Sequence, residues 1–315
     1  FSEPADRLTV SLPAASLAAH AEDVEDLTLS VRTADASYDL PASLIGLDEL
    51  ASSLGADAEE ITISLTIEKV KESLASQIEI DASRVGVRVV GEPIEFHLTA
   101  SANGNSVEIS SFGSMYVVRT ITIHEDAGDE EWSAVLYDPI TGTFTFVPSV
   151  VERVHGQTYV HIMRNGNSIY AVISGKITFA DIAGHWAQAD IESLASRLLL
   201  QGQGPDRFAP DAVITRAEVA AMLVRALGLT DGPAIGAAAY TDVSPDAWYA
   251  PYIQLASAAG LISGYLDGSF RPDQAVSRVE LAAMTARALG YAGADLSVDA
   301  SVLNAFADHE KIAGW

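Results

Sequence analysis

The chain has 315 residues, 43 of them acidic and 18 basic, giving a formal net charge of -25, and it contains no cysteine. That excludes disulfides, thiolate metal sites and cysteine nucleophiles, and it argues against nucleic acid or an anionic membrane as the main partner. No run of 18 apolar residues is present, so the sequence offers no membrane-spanning helix. The composition suits an exported protein of a Gram-positive cell, and a start at Phe1 without a signal peptide suggests a processed piece of something longer.

Before residue 176 the apolar residues alternate. Leu27–Val31, Ile61–Ile67, Ile94–Leu98, Val117–Ile123, Phe144–Val147 and Tyr159–Ile162 read as half-buried antiparallel strands. Turn signals separate them at Ala102–Asn105, Asp138–Gly142 and Arg164–Asn167. Helical interludes are expected around Leu47–Leu54 and Ile67–Ile78, the first with Asp48 and Glu49 in its opening turn and Gly55 as its stop.

After residue 176 the chain repeats itself. Trp186, Phe208, Arg216, Glu218, Leu227 and Gly228 recur as Trp248, Phe270, Arg278, Glu280, Leu289 and Gly290, each at one constant spacing. Phe179-Ala-Asp181 returns as Tyr240-Thr-Asp242, and Phe306-Ala-Asp308 opens a third copy. Each repeat reads as helix, loop, helix, with a first helix beginning near Trp186 or Trp248. The second helix is announced by a capping box, Thr215 with Glu218 and Ser277 with Glu280. Arg216 and Arg278 then occupy the first helical position, where the helix dipole disfavours a cation. Either an anion sits beside each of them, or each pairs with an acid of the neighbouring repeat.

The expected fold is therefore mixed and multidomain. A mostly antiparallel, sandwich-like β region with short helices covers 1–175, as one body or two small ones meeting near 125–135. All-α helix–loop–helix repeats follow at 176–236 and 237–300, and a truncated third copy starts at 301–315.

Phe179-Ala-Asp-Ile-Ala-Gly-His-Trp186, Ile214-Thr-Arg-Ala-Glu218 and Gly264-Tyr-Leu-Asp-Gly-Ser-Phe-Arg-Pro272 resemble the S-layer homology domain of bacterial surface proteins. The resemblance implies a three-lobed helical prism that binds pyruvylated secondary cell wall polymer non-covalently. It implies that Arg216 and Arg278 hold the ligand's anionic groups, that Trp186 and Trp248 are the aromatics of the first helix, and that Gly264 belongs to a loop facing the groove. The second copy departs in carrying Val279 where the motif has Ala, and the first has Pro205-Asp-Arg-Phe208 in place of Asp-Gly-Ser-Phe. The β region resembles, less specifically, the segment preceding such repeats in large exported proteins of Paenibacillus-like bacteria, where it acts as a spacer.

The expected function is anchoring of an exported, surface-located protein to the cell wall, without membrane insertion and with a monomer in solution. Two rivals stand beside it: the tail of a surface-displayed polysaccharide-degrading enzyme with its catalytic part upstream, and a self-assembling surface-layer protein. No catalytic motif is found and no metal site or cofactor is expected, although the acidic run Asp126–Glu131 could take calcium. His97 and His161, on polar strand faces, read as solvated.

Overall fold

A computed structural model describes residues 6–23, 27–113, 115–124, 130–204, 206–229 and 240–297. Two compact units divide between Asp211 and Ala212. The third repeat's opening residues lie outside the described residues.

In chain order the first unit contains β1 (Arg7–Pro13), α1 (Ala14–Asp23), β2 (Thr28–Arg32), β3 (Ala36–Pro41), α2 (Leu47–Leu54), β4 (Thr62–Lys69) and α3 (Glu72–Arg84). There follow β5 (Val87–Ala102), β6 (Asn105–Glu108), β7 (Val117–Ile123), β8 (Trp132–Asp138), β9 (Thr143–Phe146), β10 (Ser149–Val154), β11 (Gln157–Arg164) and β12 (Ile169–Gly175). The first helix of the repeat region, α4 (Gln188–Ser196), completes it.

The strands form two antiparallel sheets. One has the order β1-β4-β5-β12-β8-β9, with β6 paired to β5; the other runs β10-β11-β7-β3-β2. Alternation explains why they pack face to face. Ile63, Leu65, Phe96 and Leu98 of the first sheet and Val31, Tyr38, Leu40 and Ile121 of the second share one buried cluster. Strand β12 is buried on both sides: Tyr170 and Val172 join that cluster, while Ile169, Ala171 and Ile173 face a second one with Ile78 and Ala82 of α3. Gly91, at φ +67, bends the long β5 where its register with β12 shifts, and an added Cβ there would collide with Ile123. Arg164–Asn167 carries the chain from one sheet to the other, between β11 and β12.

Local sequence places α2 as expected, with Gly55 closing it in the left-handed conformation. The second expected interlude moves. Ile67–Lys69 finish β4, because the period-two pattern continues through them, and the helix occupies Glu72–Arg84 instead. Helix α1, in an alanine-rich stretch directly after β1, has no counterpart in the expectation.

The expectation of all-α repeats is overturned. In the repeat region α4 has 9 residues, α5 (Arg216–Ala226) 11, α6 (Ala250–Ala258) 9 and α7 (Arg278–Tyr291) 14. Among the described residues, the segments 197–215 and 259–277 contain no helix. They follow turns and short β-bridges, Gly204 to Arg207 and Thr215 to Ala275. The cause is backbone chemistry: Ala209 and Arg271 are left-handed at φ +62 and +59, Pro210 and Pro272 follow them, and Leu198 (φ +60) and Gly260 (φ +70) end the preceding helices. Leu198 therefore lies beyond the end of the first helix.

Helix α4 is held within the first unit. Ser196 Oγ accepts from Ile177 N at 2.9 Å, and Glu131 accepts from Ser193 at 3.1 Å and from Arg197 at 2.8 Å. Ile177 and Leu198 pack against the cluster beneath α3. In the second unit α5, α6 and α7 close on Val219, Val224, Ile253, Leu261, Phe270, Met284 and Ala288.

Candidate functional site

The two repeats share a rigid loop, built the same way each time. Asp181 accepts from the backbone N–H of Phe208 (2.9 Å) and Ala209 (2.7 Å); Asp242 accepts from Phe270 and Arg271, both at 2.7 Å. Those backbone donors hold the Asp181 carboxyl below its ordinary value, Phe208 contributing most. The aromatic that opens each motif meets its partner ring at nearly one geometry, Phe179 with Phe208 at 5.4 Å and Tyr240 with Phe270 at 5.3 Å. Gly264 lets the loop approach that ring: an added Cβ would overlap Tyr240 and the Ser269 carbonyl oxygen, and at Gly202 it would overlap Phe179 and the Arg207 carbonyl oxygen. Its glycine is thus demanded by packing, while the residue itself still borders the cleft described below.

Both capping boxes form. Thr215 Oγ1 accepts from Glu218 N at 3.2 Å while Glu218 Oε2 accepts from Thr215 N at 2.7 Å; in the second copy Ser277 Oγ accepts from Glu280 N at 3.3 Å and Glu280 Oε2 from Ser277 N at 2.9 Å. Glu280 then uses its other oxygen, Oε1, for a second task. It accepts from Arg216 Nη1 at 2.6 Å and from the Tyr265 hydroxyl at 2.7 Å. The remaining Arg216 contacts are to carbonyl oxygens, Nε to Phe270 at 2.9 Å and Nη2 to Ser263 at 3.1 Å. The guanidinium lies 4.7 Å from the Phe270 ring centre and 4.8 Å from that of Tyr265.

This resolves the unfavourable cation at the first helical position. Arg216, only 4% exposed, pairs with the acid of the neighbouring repeat. Burial pushes the Glu280 carboxyl up, but the Tyr265 hydroxyl, the Ser277 N–H and hydroxyl and the Arg216 charge outweigh it and hold the group at about 2. Tyr265 in turn is raised by burial and by its hydrogen bond to Glu280.

Around this pair opens a cleft of about 90 Å³, bordered by Arg216, Ser263, Gly264, Tyr265, Glu280, Met284 and Arg287. Of the residues singled out in the sequence, the fold brings Arg216, Gly264 and Glu280 together here. Arg278 is exposed at the start of α7 and does not border the cleft. Trp248 is 57% exposed, with its ring edge-on to Tyr249 and Tyr252 at 5.5 and 6.3 Å. Trp186, 87% exposed beside His185, belongs to the first unit. Tyr265, Ser263 and Arg287 were not anticipated. For Arg287 a signal existed: it follows Arg225 at the same spacing as Arg278 follows Arg216.

Asp126 and its neighbours through Asp129 lie outside the described residues. Glu130 is paired with Arg88 and Ser174, and Glu131 with Arg197 and Ser193. Among the described residues no cluster of three or more histidines and carboxylates is arranged to hold a metal ion.

A tandem of helix-containing repeats, joined by a buried arginine–glutamate pair, is the class of structure these observations define. Residues 178–220 and 239–282 match the model of the S-layer homology domain family. Over 249 residues, 76% of the chain, the sequence is 27% identical to an amylopullulanase of Thermoanaerobacterium thermosulfurigenes. Over 109 residues, 33% of the chain, it is 38% identical both to the middle cell wall protein of Brevibacillus brevis and to a surface layer protein of Brevibacillus choshinensis. The matched segments span only 13%, 10% and 10% of those proteins. S-layer homology domains are cell-wall anchoring domains of surface proteins, and the repeat region is similar to them.

Proposed function

We propose that this chain holds a surface protein on the bacterial cell wall by binding pyruvylated secondary cell wall polymer at the cleft between its two repeats, with the β region as spacer. The observation that carries the reading is the cleft itself. Its walls come from both repeats, Arg216 from one and Tyr265 and Glu280 from the other, so a ligand seated there needs the tandem. A polymer bearing carboxylates suits a site that keeps guanidinium groups in a chain of net charge -25. Location at the cell surface follows from the repeats. Surface plasmon resonance on immobilised polymer and on polymer-free peptidoglycan tests it: the expected result is saturable binding to the first only, and equal responses on both surfaces would contradict it.

A second reading concerns what is anchored. The match to the amylopullulanase is 249 residues long, more than the whole chain after residue 175, so it reaches into the β region. We infer that the protein displayed is a polysaccharide-degrading enzyme. Release of reducing sugars from pullulan or xylan by the full-length gene product supports this, and its absence across neutral and acidic polysaccharides counts against it.

A further inference from the structure

The second sheet has an outer face to which anchoring gives no task. Val31, Tyr38, Leu40, Ile121, Val160 and Ile162 fill the core from it, so the residues between them point outward. Strand register lines those outward residues up across the sheet. Arg32 of β2 lies opposite Ser37 of β3, Ser37 opposite Thr120 of β7, and Thr120 opposite His161 of β11. Two residues further along β7, Thr122 lies opposite Tyr159, and Tyr159 opposite Glu152 of β10.

Side-chain length turns this face into a trough. The two middle strands present the short Ser37, Thr120 and Thr122 as its floor. Arg32 rises on one side, and Tyr159, His161 and Glu152 rise on the other. Every residue bordering the trough belongs to these strands or to the turn joining β2 to β3.

One wall is aromatic and held in place. The rings of Tyr159 and His161 are nearly parallel, at 16°, with their centres 6.5 Å apart. The Tyr159 hydroxyl donates to Gln157 Oε1 at 2.7 Å. His161 is hydrogen-bonded at both ring nitrogens, Nδ1 to Thr120 Oγ1 and Nε2 to Glu152 Oε2, each at 3.1 Å. That histidine is thus fixed by protein partners rather than solvated. Side chains ordered in advance lose little freedom when a ligand arrives. On the opposite wall the Arg32 side chain is 72% exposed and lies 3.8 Å from Asp39, beyond hydrogen-bond distance, so its donors are free for a ligand.

The ligand chemistry follows from what the walls offer. Arg32 donates, Asp39 and Glu152 accept, and the floor hydroxyls do both. A sugar ring has the matching needs: hydroxyls around its edge that donate and accept, and a face of C–H groups that lies on an aromatic ring. Two carboxylates against one guanidinium, in a chain of net charge -25, disfavour a polyanion.

We propose that the outer face of the second sheet binds a neutral polysaccharide. The polymer lies along β7 and β3, with a sugar ring on Tyr159 and with Arg32 and Asp39 bonding hydroxyls from the other side. The β region is then a sugar-binding element as well as a spacer, and this site is independent of the cleft between the repeats.

Native electrophoresis of the full chain through gels containing a dissolved polysaccharide tests it. The neutral probes are pullulan, xylan, mixed-linkage β-glucan and galactomannan; polygalacturonate is the acidic one. At least one neutral polysaccharide is expected to retard the chain. Tyr159→Ala is expected to weaken that binding about 10-fold, the effect of losing one stacked ring. Arg32→Ala removes an exposed side chain that the fold does not need, and it is expected to weaken binding about 3-fold with an unchanged melting temperature. Arg7→Ala, at a comparably exposed strand arginine of the first sheet, should run as wild type. Free migration in all four neutral gels would overturn the proposal, as would retardation by polygalacturonate alone. Retardation that survives unchanged in both Tyr159→Ala and Arg32→Ala would overturn it too, by placing the sugar elsewhere. None of these results bears on anchoring, which is read from sacculi.

Discussion

Removing the Arg216 guanidinium leaves the Glu280 carboxylate buried against Tyr265 without its counter-charge. Breaking a buried pair from one side typically costs about 3–5 kcal/mol, so Arg216→Ala is expected to lower the melting temperature of the second unit sharply; a thermal scan that leaves it within a degree would contradict the pairing. The same carboxylate predicts a pH response. Its folded value, about 2, lies below the ordinary 4.5, so its stabilisation is complete above about pH 4.5 and is lost as pH falls toward 2. Denaturant midpoints measured from pH 6 to pH 2.5 should fall over that window, and the fall should shrink in Glu280→Gln. How legible such residues were depended on how far away their partners lie. Arg216 was conspicuous in the sequence because its helix dipole is unfavourable, and one of the two explanations open for it, an acid of the next repeat, is the one the fold uses. Arg119 gave no such warning. It occupies an inward position of Val117–Ile123, fully buried, with its guanidinium 4.5 Å from the centre of the Tyr38 ring and bonded to Asn167 and to the carbonyl oxygens of Val117 and Arg164. Those partners come largely from other segments, and alternation alone does not say that an apolar face will accept a cation.

At the level of the elements, caps were readable because their signals are local. Thr215 with Glu218 and Ser277 with Glu280 start α5 and α7 where the hydroxyl-x-x-Glu pattern placed them. Ser277→Ala should therefore cost about 1 kcal/mol, seen as a matching shift in the unfolding midpoint, and Ser277→Asp should restore most of it. The loops between helices were not readable. Their shape depends on Asp242 reaching backbone donors 28 and 29 residues away and on Arg271 in the left-handed region, neither of which a helical period reports. Gly264→Ala probes that geometry directly. The new methyl overlaps a ring and a carbonyl oxygen, and overpacking of this kind costs about 1–3 kcal/mol. Wild-type stability in that variant would mean that the loop relaxes freely and that the glycine is not held by packing.

On the scale of the whole molecule, compactness does not follow the repeat period. The first S-layer homology match begins at 178 and runs to 220, yet the boundary between compact units falls at 211/212, with α4 on one side and α5 on the other. Helix α4 takes part of its apolar cover from the β region through Ile177 and Leu198. A fragment starting at residue 177 should consequently lose hydrogen-exchange protection over Gln188–Ser196 by 10-fold or more, while α5 in a fragment starting at 212 keeps the protection it has in the full chain. Undiminished protection of α4 in the first fragment would show that it needs nothing from the β region. The repeat period was legible because whole motifs recur at it; the compact unit was not, because it is set by which faces the β region covers.

The central claim is that the repeats hold the wall through its secondary polymer. Co-sedimentation of the full chain with sacculi, before and after chemical stripping of that polymer, tests it most directly. The account predicts that the chain pellets with intact sacculi and stays in the supernatant with stripped ones; equal pelleting with both would contradict it.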